Sequence, residues 1–373
     1  MNKNRYPIYW ISLLYSSLVF VFFSTSCSKD PVREKTIEDP DTTVVSVNYE
    51  DGIFIINEGN YNWGNASVTF VDNKTNKAVQ SIFRKSNGRG LGDVAQSMKI
   101  IGNLGYVIVN NSNNIEVVSL KDFKSVKSIT GLFYPRYMEV IDSNKAYVTN
   151  LQNSISVIDL QNNSVSGSIQ TSTWTENQVL YEKYMLIASI GDFSKPSFQR
   201  KAQILKIDTQ TDSIVDSLVT GKEPVGIVID KEKKVWILCS GGYDYFEAPS
   251  LLRIDPISFR IEKQFTFFDT KQVPSRLCIN HAMDTLYFLK GGVFQMPISA
   301  AGLPVQPLIP SNERRLYGLE IHPVTGNIFV SDAKDYVQNG TACQYNVNGT
   351  LIRQYIAGRI PGTFSFTKPA TGK

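Results

Sequence analysis

Histidine is the scarcest functional side chain here, with two among 373 residues, His281 and His322. Both stand in turn-like segments, INHAMD and HPVTGN, so a Ser-His-Asp arrangement has no natural seat. A GxSxG elbow, a P-loop, an HExxH pair and closely spaced cysteines are all missing. Charge is sparse at 19% of residues, and no cluster of Lys and Arg gives the footprint of a nucleic-acid binder. Cysteine is limited to four positions. Cys239, Cys278 and Cys343 are far apart in apolar, strand-like stretches, which argues for buried thiols and against a disulfide framework. Enzymatic chemistry is therefore not expected, and neither a catalytic nor a metal-binding residue is assigned.

There is a single long apolar run, residues 8–23 (IYWISLLYSSLVFVFF), after Lys3 and Arg5. It is short for a membrane span and typical of a secretory leader. The small residues Ser24, Thr25 and Ser26 then lead into Cys27, a pattern similar to the lipobox of bacterial lipoproteins. Residues 1–26 are thus expected to be a signal peptide and Cys27 the lipidated residue. Residues 27–50, polar and interrupted by Pro31 and Pro40, are expected to be a tether, and 51–368 the folded domain.

That domain repeats. A hexamer with apolar fourth and sixth residues recurs as AQSMKI (95–100), PRYMEV (135–140), PVGIVI (224–229), PSRLCI (274–279), LYGLEI (316–321) and PGTFSF (361–366). TENQVL (175–180) occupies a seventh slot, with Gln178 in the fourth place. An apolar second strand and two further strands follow each hexamer except the last, with no helical periodicity between them. Residues 52–83 supply second, third and fourth strands only (GIFIINE, SVTFVD, AVQSIF), and the end of the chain supplies only a first strand. These fragments complete one another. The prediction is all-β: a seven-bladed β-propeller closed by pairing of Thr363–Phe366 with Gly52–Glu58. Asp72, Asp159, Asp208 and Asp255, which end third strands, are expected to cap the next turn.

Candidate binding residues fall into two sets. Long second-to-third loops carry aromatics among Asn, Gly and Ser: Tyr61, Trp63, Phe193, Tyr243, Tyr245 and Tyr336. Such loops on a rigid scaffold are where recognition usually resides. The starts of the first strands bring Gln96, Arg136, Tyr137, Glu176, Asn177, Arg276 and Tyr317 toward one mouth of the channel, where amides and guanidiniums suit acidic or amide groups.

Tyr147-Val148-Thr149-Asn150 resembles the repeat of the YVTN, or YncE-like, propellers and carries its four letters. The opening IFIINEGNYNWGNASVTFVD (53–72), with its NEGN turn, and the closing PGTFSF resemble a Bacteroidetes lipoprotein family that includes the BtuG-type surface proteins. That resemblance implies an outer-membrane, lipid-anchored protein on the extracellular face. It would touch the membrane through its lipid alone, capture cobalamin or another corrinoid as cargo, and serve a TonB-dependent transporter. Cobalamin would be bound cargo and not a cofactor. Another cargo on the same architecture, such as a ferric siderophore or a glycan, and a protein-interaction scaffold remain the alternatives.

Overall fold

The computed structural model describes residues 48–192, 195–196, 199, 201–242, 247–268 and 273–367. Seven antiparallel sheets of four strands succeed one another along the chain, the blades of a propeller. Blade I joins the last strand, Pro361–Phe366, to Gly52–Asn57, Ser67–Asp72 and Ala78–Val79. The first strands of blades II to VII are Ala95–Ile101, Pro135–Val140, Trp174–Tyr181, Pro224–Ile229, Ser275–Ile279 and Leu316–Ile321. In the closing pair Ile53 lies opposite Phe366, Ile55 opposite Phe364 and Ile56 opposite Thr363, the pairing read from the sequence.

Burial follows position within the blade. Second strands pack between neighbouring blades and are almost wholly apolar: every residue of Val235–Cys239 is buried. Outer strands are edges and read as polar, Ser213–Val219 and Arg260–Thr266 being mostly exposed, which discourages pairing with other chains. Each apolar cluster spans two blades, as where Tyr106, Ile108 and Ile115 of blade II meet Met138, Ala146 and Val148 of blade III. Fully burying one such aliphatic side chain contributes roughly 1.5–3 kcal/mol, so the ring is held by the surfaces between blades. Trp236, fully buried, donates its indole N–H to the equally buried Asp230 at 2.8 Å.

The predicted turn caps form: the Asp72, Asp159, Asp208 and Asp255 carboxylates each accept a backbone N–H two residues on. His322 does likewise, its Nδ1 accepting from Val324 and Thr325 at 3.2 Å, and His281 is exposed. Gln178 explains its own exception to the hexamer. Its amide donates to the carbonyls of Tyr137 and Tyr147, pinning blade IV to blade III.

Three expectations are corrected. AVQSIF is not a full outer strand: pairing stops at Val79 and the chain enters a short helix, α1 (Ile82–Asn87), whose Ile82 and Phe83 are buried under blade I. The outer strand expected of blade VI is likewise cut short: within residues 304–309 (PVQPLI) two prolines remove ladder donors, and only Ile309–Pro310 pairs there. Tyr49, assigned to the tether, is core: its ring meets Phe70 and Phe123 edge-on at 5.0 and 5.6 Å.

Candidate functional site at the channel mouth

A β-bulge or register shift lies near the start of every first strand or, in blade I, where the last strand pairs with Gly52–Asn57. A bulge re-aims side chains out of the strict alternation of a strand, and here it recurs around one end of the channel. Arg276 shows the effect most plainly, adopting φ 57° in the left-handed region within its strand.

The side chains so aimed form a connected chain of contacts. Glu176 holds Arg136 with both oxygens, Oε1 to Nη2 at 2.9 Å and Oε2 to Nε at 3.1 Å. Arg136 also donates to Gln96 Oε1, and Gln96 donates to the Tyr137 hydroxyl at 3.2 Å. Arg276 Nη1 donates to the same hydroxyl at 3.4 Å, Nε to the Tyr317 carbonyl at 3.0 Å, and Nη2 lies 3.6 Å from Glu58 Oε1. Tyr317 closes the set by donating its hydroxyl to Glu58 Oε2. Six of the seven blades contribute.

The two guanidiniums are held differently. Arg136 is neutralised by a two-pronged carboxylate, the strong geometry for this pair. Arg276 has one longer ion pair and stacks over Tyr317, 5.1 Å from the ring centre. Burial is the largest influence on Glu58 and raises its pKa, against the pull of Arg276, Arg136 and the Tyr317 hydroxyl. Tyr137 accepts two hydrogen bonds, and its own O–H has no acceptor among the described residues.

One step deeper lie the fifth residues of the hexamers. Lys99 and Glu139 pair at 2.9 Å, and Ser365 donates to the Met98 carbonyl. Burial pushes Glu320 up to about 7, while Arg276 and Lys99 draw it back down. Beside it Cys278 donates to the Leu319 carbonyl at 3.2 Å.

Of the sequence candidates, Gln96, Arg136, Tyr137, Glu176, Arg276 and Tyr317 come together as the spacing suggested. Asn177 instead donates to the Val225 carbonyl at 2.7 Å and holds blade IV to blade V. Tyr336 packs edge-on against Tyr317 at 5.8 Å, and its carbonyl accepts from Asn60, which ties the Tyr61 loop to blade VII. Tyr61 and Trp63 are 62% and 76% exposed, and Trp63 lines a separate groove. Phe193, Tyr243, Tyr245 and Cys27 lie outside the described residues. Sequence reasoning missed Glu58. It directly follows the blade I strand whose partner comes from the other end of the chain, so no hexamer marks it.

Among the described residues, no group of three or more His, Cys, Asp or Glu is placed to hold a metal, and no helix is long and apolar enough to cross a membrane.

Architecture and mouth define a seven-bladed propeller with a polar, ion-paired channel entrance. Solved structures share the fold. A quinoprotein alcohol dehydrogenase-like protein from Bacteroides thetaiotaomicron VPI-5482 has TM-score 0.66 at 15% identity, over 86% of this chain and 79% of that one. Kuenenia stuttgartiensis hydrazine synthase gives 0.59 at 16%, over 82% and 99%, and dihydro-heme d1 dehydrogenase NirN 0.59 at 11%, over 86% and 76%. No curated protein matches. Residues 51–357 match the family described as a domain of unknown function, DUF5074, and the chain belongs to that family.

Proposed function

We propose that the protein is a non-catalytic capture module whose channel mouth binds a large ligand rich in hydrogen-bond acceptors, a corrinoid being the favoured cargo. The observation that carries this reading is the Tyr137 hydroxyl, which accepts from Gln96 and Arg276 and retains a proton to donate. Arg276, loosely paired with Glu58, is the neighbouring cation for a phosphate or carboxylate. Amide carbonyls and a phosphate are what a corrinoid presents. The leader, the Cys27 pattern and the resemblance to BtuG-type proteins support a lipid-anchored protein on the extracellular face of the outer membrane, handing cargo to a TonB-dependent transporter.

Calorimetric titration of the purified protein with cyanocobalamin tests it. Saturable binding is expected, weakened about fivefold to tenfold by Tyr137→Phe, the scale of one hydrogen bond, and more by Arg276→Gln. No heat at micromolar protein would sink the corrinoid reading. Binding indifferent to both substitutions would remove the mouth from it.

A further inference from the structure

The sevenfold pattern breaks where the outer strand of blade I is cut to two residues and a helix follows. Pairing ends at Val79, Ser81 takes a left-handed conformation (φ 53°), and α1 swings away. A groove of about 450 Å³ opens between α1, the Trp63 loop and the end of the outer strand of blade VII. None of the residues lining it is acidic, although the chain as a whole carries 34 Asp and Glu against 38 Lys and Arg. Two guanidiniums face it from separate elements. Arg84 comes from α1, is exposed and has no carboxylate partner among the described residues. Arg359 is anchored by its Nε, which donates to the Val337 carbonyl at 2.7 Å, leaving its terminal nitrogens for other acceptors.

Trp63 stands at the rim with 76% of its surface exposed, a cost that a ring stacked on the indole would remove. The Asn339 amide and the Ser81 hydroxyl, which makes no capping bond, add polar contacts. Gly64 and Gly90 leave that wall bare: a Cβ on Gly64 meets nothing within 4 Å, and one on Gly90 comes no closer than 3.9 Å to the Gly64 carbonyl. A flat indole, two cations on different walls and hydroxyl-matching groups between them suit one kind of molecule.

We propose that this groove is a second binding site, distinct from the channel mouth, for a sugar ring carrying a carboxylate or phosphate. The indole covers the ring face, Arg84 and Arg359 hold the anionic group, and Asn339 and Ser81 meet hydroxyls. The site does not depend on what the mouth binds.

The test uses protein with ¹⁵N-labelled tryptophan, the Trp63 indole signal being assigned by its loss in Trp63→Phe. It is titrated with glucuronate, glucose 6-phosphate, glucose and inorganic phosphate at millimolar concentrations. Saturable shifts with one or both charged sugars are expected, and the tighter of the two identifies the anion. Arg84→Gln and Arg359→Gln should each weaken binding about fivefold or more, and Gly90→Phe, which fills the groove, should abolish it. Cyanocobalamin titration of Gly90→Phe should match that of the unaltered protein, and Tyr137→Phe should leave the sugar response unchanged. Equal binding of glucose would overturn the charge requirement. Equal binding of inorganic phosphate would overturn the ring. Absence of any shift, or shifts that survive Gly90→Phe, would overturn the site itself.

Discussion

The Tyr317 hydroxyl donates to Glu58 Oε2 at 2.9 Å, joining blade VII to the blade built from both ends of the chain. Glu58 thereby sits among Tyr317, Arg276 and a low-dielectric wall, with burial outweighing the favourable charges. Tyr317→Phe removes the donor and leaves a buried carboxylate with less support, a loss of about 1–3 kcal/mol. Urea unfolding at neutral pH should show this as a lower midpoint with unchanged slope. An unaltered midpoint would mean that water replaces the phenol at no cost.

Glu320 gives a pH dependence of defined sign. Its pKa is raised in the fold to about 7, above the usual value of 4.5, because burial disfavours the charged form. The folded protein therefore holds this proton more tightly than the unfolded chain. The group's contribution is greatest below about 4.5, is lost as pH rises toward 7, and is constant above that. Glu320→Gln keeps the neutral shape. It should raise stability by about 1–3 kcal/mol at pH 8 and change little at pH 4. The difference between variant and parent melting curves isolates the effect, because Asp72, Asp159 and Asp255, whose pKa values are lowered, titrate equally in both. A difference that does not vary with pH would contradict this account.

Trp236 fills the space between blades V and VI and also partners Asp230. Trp236→Ala is expected to cost about 3–5 kcal/mol through the cavity it leaves. Trp236→Phe should cost roughly 1–3 kcal/mol, mostly because Asp230 loses its indole donor. Denaturant titration of both separates packing from hydrogen bonding. Equal losses would make the packing of the ring irrelevant and leave the hydrogen bond to account for the whole effect.

The thiols of Cys239, Cys278 and Cys343 are buried and free. Burial pushes Cys239 up to about 12 and raises Cys278 and Cys343 as well, so thiolate is scarce at neutral pH. A disulfide-exchange reagent should label none of the three within minutes in native buffer, and all three in guanidinium. Rapid native labelling of any of them would show that its blade opens.

Much of this architecture was legible because a propeller writes its period into the chain. Met98, Met138, Ile227 and Leu319 fall in the same slot of their hexamers, each meeting the same space between blades. The closing pair was legible from what each end lacked. The failures were places where the period persists in the letters but not in the physics. AVQSIF stands in the place of an outer strand, yet its apolar residues come in pairs, and Ile82 and Phe83 are buried on a short helix in one cluster with Tyr49 and Phe70. PVQPLI has the right apolar places but carries two prolines. In the site, the residues at bulged strand starts were found from their common position. Glu58 was not, because its partner strand lies some 300 residues away, Asn57 pairing with Pro361. Asn177 shares the third hexamer place with Tyr137 and Arg276, and its amide reaches across to the Val225 carbonyl of the next blade.

The closure of blade I also gives the chain a property that its linear order conceals. Gly52 N–H donates to the Thr367 hydroxyl at 2.8 Å, so the entry and exit of the fold are hydrogen-bond neighbours. A short linker across that point would fuse them without strain, and new ends could be cut at an exposed turn such as Asp142–Asn144. Such a circular permutant would keep all seven sheets while moving the discontinuity to another blade. Where the polypeptide starts is then a matter of synthesis, and the ring itself has no first blade.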